Sequence, residues 1–180
     1  MKKIKVAVIG VGYLGEFHAD KYHANKSVEL VGVVDSDRKR RDVISKKLNI
    51  SSFSDYTKVL DDVDAVSISV PTDLHFKIGK FFIENGKHVL IENPFTKNLS
   101  EAIKLEKIAK KKDVVLQIGH IERFNKAYIK LEKLVKNPLF IECNRISPFK
   151  VRGTEVDVIM DLMIHDLDII LKLNKSKIKS

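Results

Sequence analysis

The chain has one cysteine, Cys143, which excludes an intrachain disulfide and fits a reducing cytoplasm. That residue lies in an apolar run and reads as chemically inert. Nothing in the sequence approaches the roughly 20 consecutive apolar residues of a membrane span, so no membrane partner is expected. Met1-Lys2-Lys3 and the apolar run Ile4 to Ile9 imitate the first regions of a signal peptide. They lead directly into a glycine turn with no polar cleavage region, so the run is read as a first strand. Internal repeats and long linkers are missing as well. Basic residues are not interleaved with aromatics of the kind that stack bases. The formal charge of +9 is instead spread over helix faces and gathered in Lys110-Lys111-Lys112 and the tail Lys172 to Lys179, which points to solvated helix ends rather than a nucleic-acid surface.

What remains is an ordinary globular composition, 180 residues with 44% hydrophobic and 32% charged, enough for one core and a little more. Its most informative stretch is Gly10-Val11-Gly12-Tyr13-Leu14-Gly15, directly after the first apolar run, with Asp35 ending the next run, Val28 to Val34. Gly10 permits the tight turn out of the strand, Gly12 lets the backbone approach a pyrophosphate, and Gly15 lets the following helix pack closely. The helix N-terminus then offers its N–H groups to the phosphates. Asp35 is placed to accept hydrogen bonds from an adenosine ribose and to repel a 2′-phosphate, which favours NAD over NADP. Arg38-Lys39-Arg40-Arg41 follows the acid; arginines there can hold a 2′-phosphate, but the plainer reading is a solvated first turn of a helix.

Strand candidates at Val28 to Asp35, Ala65 to Val70, His88 to Ile91 and Val114 to Ile118, with a short one at Ser51 to Phe53, alternate with helix candidates at Arg38 to Leu48, Asp73 to Asn85 and Leu99 to Lys112. This alternation predicts an α/β fold, a Rossmann-type doubly wound parallel sheet. Ser100 is the expected cap of the last helix, and Gly86 the stop of the one before. After Gly119 the pattern changes to a helix at Phe124 to Val135, a strand at Leu139 to Ile146 and a long helix at Val156 to Leu173. The chain therefore divides into a dinucleotide-binding domain, 1–119, and the start of an α+β substrate region, 120–180.

On the long helix Asp161, His165 and Asp168 fall at i, i+4 and i+7 and share one face, beside an apolar stripe of Met160, Ile164, Leu167 and Leu171. A carboxylate next to an imidazole suits removal of a proton from an alcohol. An unrelated Asp–His pair on a half-exposed helix has the same spacing, and spacing alone does not choose. Two loops, Val70-Pro71-Thr72-Asp73-Leu74-His75 and Ile91-Glu92-Asn93-Pro94, sit at the carboxyl ends of predicted strands, where open α/β sheets bind ligands. Taken alone, Thr72 or Asp73 reads more simply as a helix cap and Pro94 as a strand end. No metal-binding cluster is expected.

Together these segments resemble the Gfo/Idh/MocA oxidoreductase family, whose cofactor domain reads GxGxxG, an acid ending the second strand, Pro-Asn-x-x-His, Glu-Lys-Pro and an Asp-x-Gly-x-His-x-x-Asp helix. Gly10, Gly12, Gly15 and Asp35 match the first part; Pro71 and His75 match the loop, with Thr72 for Asn; Glu92 and Pro94 match the turn; Asp161, His165 and Asp168 match the helix, with Met163 for Gly. Gly119 to Asn125 and Val156 to Leu171 look most like the branch of UDP-N-acetylglucosamine 3-dehydrogenases. The resemblance implies an NAD(P)-dependent dehydrogenase of a sugar or nucleotide-sugar hydroxyl, with His165 as general base and Asp161 orienting it. Gly10, Gly12, Tyr13, Leu14, Gly15, Asp35, Pro71, Thr72, His75, Glu92 and Asn93 are then expected at the cofactor, and Arg123 and Asp168 at the substrate. Two departures stand out: the family's turn lysine is Asn93, which brings no charge, and of the large sheet that members carry after this point only a first strand is visible. The expected chain lacks most of the C-terminal domain and with it the usual oligomer surface. The rival reading is a catalytically silent NAD-binding or sensing module.

Overall fold

The computed structural model describes residues 2–146 and 157–174. It divides into two compact units, 1–119 and 120–180. In the first unit, β1 (Ile4–Ile9), β2 (Val28–Val34), β3 (Ser51–Phe53), β4 (Ala65–Ile68), β5 (His88–Ile91) and β6 (Leu116–Ile118) form one parallel sheet in the order β3-β2-β1-β4-β5-β6. This is the doubly wound Rossmann order, and its reversal between β1 and β4 opens a crevice at the carboxyl ends of the strands.

Side chains that alternate along each strand feed two cores. Ala7 and Ile9 of β1 join Val66, Ile68 and Ile91 on one face. That face is covered by Ile78, Phe82 and Ile83 of α3 (Thr72–Glu84) and by Leu105 and Ala109 of α4 (Leu99–Lys112). Val8 and Val33 point the other way, against Ala19 of α1 (Tyr13–Ala24) and Ile44 and Leu48 of α2 (Arg38–Leu48). A short 3-10 helix, Tyr56–Asp62, which the sequence pattern did not suggest, adds Val59 to the first core.

Helix ends follow local chemistry. The cap of α4 is Asn98, whose side-chain oxygen accepts the Glu101 N–H at 3.0 Å; Ser100, the expected cap, donates to that same oxygen at 2.7 Å. Gly86 follows α3 at φ +74°, as expected of a helix stop. Asp113 closes α4 in the left-handed region at φ 53°, a conformation that glycine adopts without steric cost. Its carboxylate also opposes the negative end of the helix dipole. Asp113→Gly is therefore expected to stabilise the chain by about 0.5–1 kcal/mol. A higher urea midpoint at unchanged slope is the corresponding measurement, and an unchanged midpoint would show that this cap carries no strain.

In the second unit a 3-10 turn, Ile121–Phe124, precedes α5 (Lys126–Leu134), and a π-helical turn, Ile159–Met163, runs into α6 (Ile164–Leu173). Two expectations change here. The strand predicted at Leu139 to Ile146 is irregular, with Leu139, Phe140 and Ile146 exposed; among the described residues no neighbouring strand supplies the hydrogen bonds that β-structure requires. The long helix is not uniformly α, because its first turn is π-helical, and its predicted first residue, Val156, lies outside the described residues.

Candidate functional site

The glycine loop lies between β1 and α1. Gly10 has φ +85°, and a Cβ there would stand 2.7 Å from the Ser69 carbonyl oxygen, so both conformation and space require glycine. At Gly15 a Cβ would fall 1.9 Å from the Gly10 oxygen, which is how closely the helix meets the loop. At Gly12 the nearest atom to an added Cβ is Arg40 Nη1 at 4.0 Å, so the space over this residue is open. No side chain caps α1, the arrangement in which a helix N-terminus receives a pyrophosphate. The residues present thus fit a dinucleotide. Tyr13 and Leu14 are exposed on this first turn, Tyr13 in edge-to-face contact with Phe17 at 5.2 Å.

Asp35 locks the loop from the end of β2. One carboxylate oxygen accepts the Val11 N–H at 2.9 Å, the other the Asp37 N–H at 2.8 Å. The basic run after it is partly committed to the protein itself. Arg41 Nη1 donates to the carbonyls of Asp35 and Ser36 at 3.1 and 3.2 Å, and Arg40 pairs with Asp37 at 3.5 Å.

The two other strand-end loops are tied together. His75 is buried, with Nδ1 2.8 Å from the Pro94 carbonyl oxygen and Nε2 2.8 Å from that of Val70. Its ring stands between the loop after β4 and the turn after β5, and a neutral imidazole, with a single N–H, donates to one of these two carbonyls. Thr72 is the first residue of α3, whose cap position is Pro71, so neither Thr72 nor Asp73 is the cap that the plainer reading expected. Glu92 pairs with His18 at 3.0 Å, and Asn93, joined to Pro94 by a cis peptide bond, donates from Nδ2 to the Gly119 carbonyl at 3.0 Å.

In the second unit the carboxylates of α6 are engaged by arginines. Asp168 accepts from Arg123 Nε at 2.7 Å and from Nη2, with His120 Nδ1 at 3.7 Å. Burial disfavours the charged form of Asp168, but the Arg123 hydrogen bonds and the nearby His120, Arg123 and His165 outweigh it and hold the pKa below its ordinary value. Asp166 is held low chiefly by its hydrogen bonds with Arg145, 2.7 Å at the closest. Arg123 and Asp168, both expected at substrate, are thus bonded to each other.

The expected Asp161–His165 pair is not formed: Nδ1 of His165 is buried without a hydrogen-bond partner. Asp161 belongs to the π turn and His165 to the α-helical part that follows it. Among the described residues, no group of three or more His, Cys, Asp or Glu is arranged to hold a metal ion, and no helix is long and apolar enough to cross a membrane.

The sequence reading passed over His18 and Ser67. His18 Nδ1 lies 2.6 Å from Ser67 Oγ, on a fully buried serine of β4. The available signal was the spacing of Gly15, His18, Ala19 and Tyr22, which puts a histidine and a tyrosine on the stripe of α1 that packs against the sheet.

Comparison with known proteins agrees with this architecture. Residues 4–120 match the Gfo/Idh/MocA profile, described as an oxidoreductase family with an NAD-binding Rossmann fold. UDP-N-acetylglucosamine 3-dehydrogenase of Acidithiobacillus ferrooxidans is 42% identical over 174 residues, covering 96% of this chain and 55% of that protein. A solved structure of the same enzyme superposes with a TM-score of 0.92 at 41% identity, covering all of this chain and 57% of the other. scyllo-Inositol 2-dehydrogenase (NAD(+)) of Bacillus subtilis is 29% identical over 99% of this chain and 56% of its own length. The chain thus spans about half the length of the curated relatives it matches. With the Rossmann order, the glycine loop and the acid at the end of β2, these matches place the chain in the Gfo/Idh/MocA family of oxidoreductases.

Proposed function

We propose that the chain provides the NAD site and the first part of the substrate region of a dehydrogenase that acts on a nucleotide-sugar hydroxyl. The observation that carries this reading is the glycine loop braced by Asp35, open above Gly12, in a chain 42% identical to a UDP-N-acetylglucosamine 3-dehydrogenase. Bound NAD supplies the hydride acceptor. The chain's own groups hold the pyrophosphate at α1 and the adenosine ribose at Asp35. His165 accepts the hydroxyl proton, its buried Nδ1 lacking any other partner. Arg123 keeps Nη1 for an anionic group while Nε and Nη2 hold Asp168.

NAD is preferred to NADP because the Asp35 charge stands where a 2′-phosphate would go, and because Asp37 offsets Arg40. Calorimetric titration is expected to give at least about tenfold tighter binding of NAD than of NADP, ~1.4 kcal/mol, and tighter NAD binding still with UDP-N-acetylglucosamine present. Preference for NADP would reverse the cofactor assignment, and NAD binding indifferent to the sugar nucleotide would remove the substrate assignment.

One observation favours the silent-module reading: Asn93 carries no charge and gives its amide to Gly119. A lysine at this position restores the family's donor. A gain in dehydrogenase activity of about a hundredfold in Asn93→Lys would identify an impaired enzyme, and no gain would favour the module.

A further inference from the structure

Beneath the turn Glu92-Asn93-Pro94 lies a polar chain that the proposed chemistry does not use. Glu92 leaves β5 with its carboxylate directed back to α1, where His18 Nε2 meets it at 3.0 Å; both side chains are largely shielded, 17% and 13% exposed. Nε2 is the donor in that pair. In the neutral ring Nδ1 is then the acceptor, and the Ser67 hydroxyl 2.6 Å away fills it and selects the tautomer. Tyr22 adds its phenol to Ser67; burial raises the phenol's pKa, the Ser67 bond partly offsets that, and the Glu92 charge raises it again. On the other side of the carboxylate stands Gly119. A Cβ there would come within 2.7 Å of both Glu92 oxygens, so the absence of a side chain makes room for them, while the Gly119 carbonyl takes the Asn93 amide.

We infer that His18 is a positioning residue: from the helix behind the glycine loop it holds Glu92, and through Glu92 the Asn93 turn, in register with the nicotinamide half of the bound dinucleotide. The inference rests on the dinucleotide reading above. Each of the three turn residues has its own tether, Glu92 to His18, Asn93 to Gly119 and Pro94 to His75. Of these only His18 belongs to the helix whose N-terminus receives the pyrophosphate, so one rigid element, α1, sets both the phosphate cradle and the turn. Loss of the His18 bond frees the turn without touching the adenine end of the site. A prop that merely supported α1 would affect both ends alike.

The test compares two probes on the whole chain, NADH and ADP-ribose, the second of which lacks the nicotinamide. In His18→Ala, NADH affinity is expected to fall about tenfold and the emission change of the bound nicotinamide to be lost, with ADP-ribose affinity within about twofold of the unaltered chain. His18→Gln, whose amide reaches the same carboxylate, is expected to recover most of the NADH affinity. Gly119→Ala, which displaces the carboxylate from the opposite side, is expected to reproduce the selective loss. Retained ADP-ribose binding reports that each variant is folded. An equal loss of both ligands in His18→Ala and Gly119→Ala, or a loss of neither, overturns the positioning role. If the unaltered chain binds ADP-ribose and NADH equally poorly, the dinucleotide reading itself fails and the inference with it.

Discussion

Replacing Gly15 with alanine is expected to abolish dinucleotide binding. The added Cβ would stand 1.9 Å from the Gly10 carbonyl oxygen and 2.8 Å from its carbon, and both are backbone atoms that cannot swing aside. Relief requires the start of α1 to move away from the loop, which separates the helix N-terminus from the turn that presents Gly12. Overpacking of this kind costs about 1–3 kcal/mol of stability. Binding suffers more, because the phosphate groups need helix and loop in one geometry; a loss of at least about a hundredfold, ~2.7 kcal/mol, is expected for NAD. Gly12→Ala separates the two effects. Its Cβ meets no protein atom closer than 4.0 Å, so the urea midpoint is expected to stay unchanged while NAD binding still falls, the methyl group taking space that the pyrophosphate needs. Full NAD affinity in Gly12→Ala would show that the phosphates do not pass over this residue.

Those glycines were legible in the sequence because their constraint is local. A turn out of a strand and a helix that starts four residues after the strand ends need no distant partner to be recognised. The parallel sheet was legible for a similar reason: strands such as Val28–Val34 are apolar but for one exposed residue, Glu29, and the helices between them announce themselves by their period. Errors lie where the outcome depends on residues far away in the chain. The run from Leu139 to Ile146 has the composition of a strand, but a strand exists only with a partner, and composition does not supply one. The buried setting of His75, between two carbonyls of which one is nineteen residues on, is likewise invisible in its local spacing. His18, Ser67 and Glu92 are spread over more than seventy positions and become one network only when α1 crosses β4 and β5. Asp161 and His165 are the subtlest case: their spacing lets them share a helix face, but no hydrogen bond joins them, and spacing alone does not decide that.

The missing Asp161–His165 bond decides what to expect of the proposed base. His165→Ala is expected to lower turnover, measured as NADH formation from UDP-N-acetylglucosamine, by about 10²–10⁴-fold, the range over which a positioned general base contributes. NAD affinity is expected to stay within about twofold, since the groups assigned to the pyrophosphate and the adenosine ribose are the glycine loop and Asp35. Asp161→Ala is expected to cost less than about tenfold, because no hydrogen bond joins its carboxylate to the imidazole, whose Nδ1 has no partner at all. Were Asp161 the orienting group, its removal would leave the ring in the wrong tautomer or rotamer and the two variants would fall together. The other carboxylates of α6 are engaged elsewhere, Asp166 by Arg145 and Asp168 by Arg123. Parallel loss of turnover and NAD affinity in His165→Ala would remove the residue from the role of base and leave it as part of the packing of the second unit.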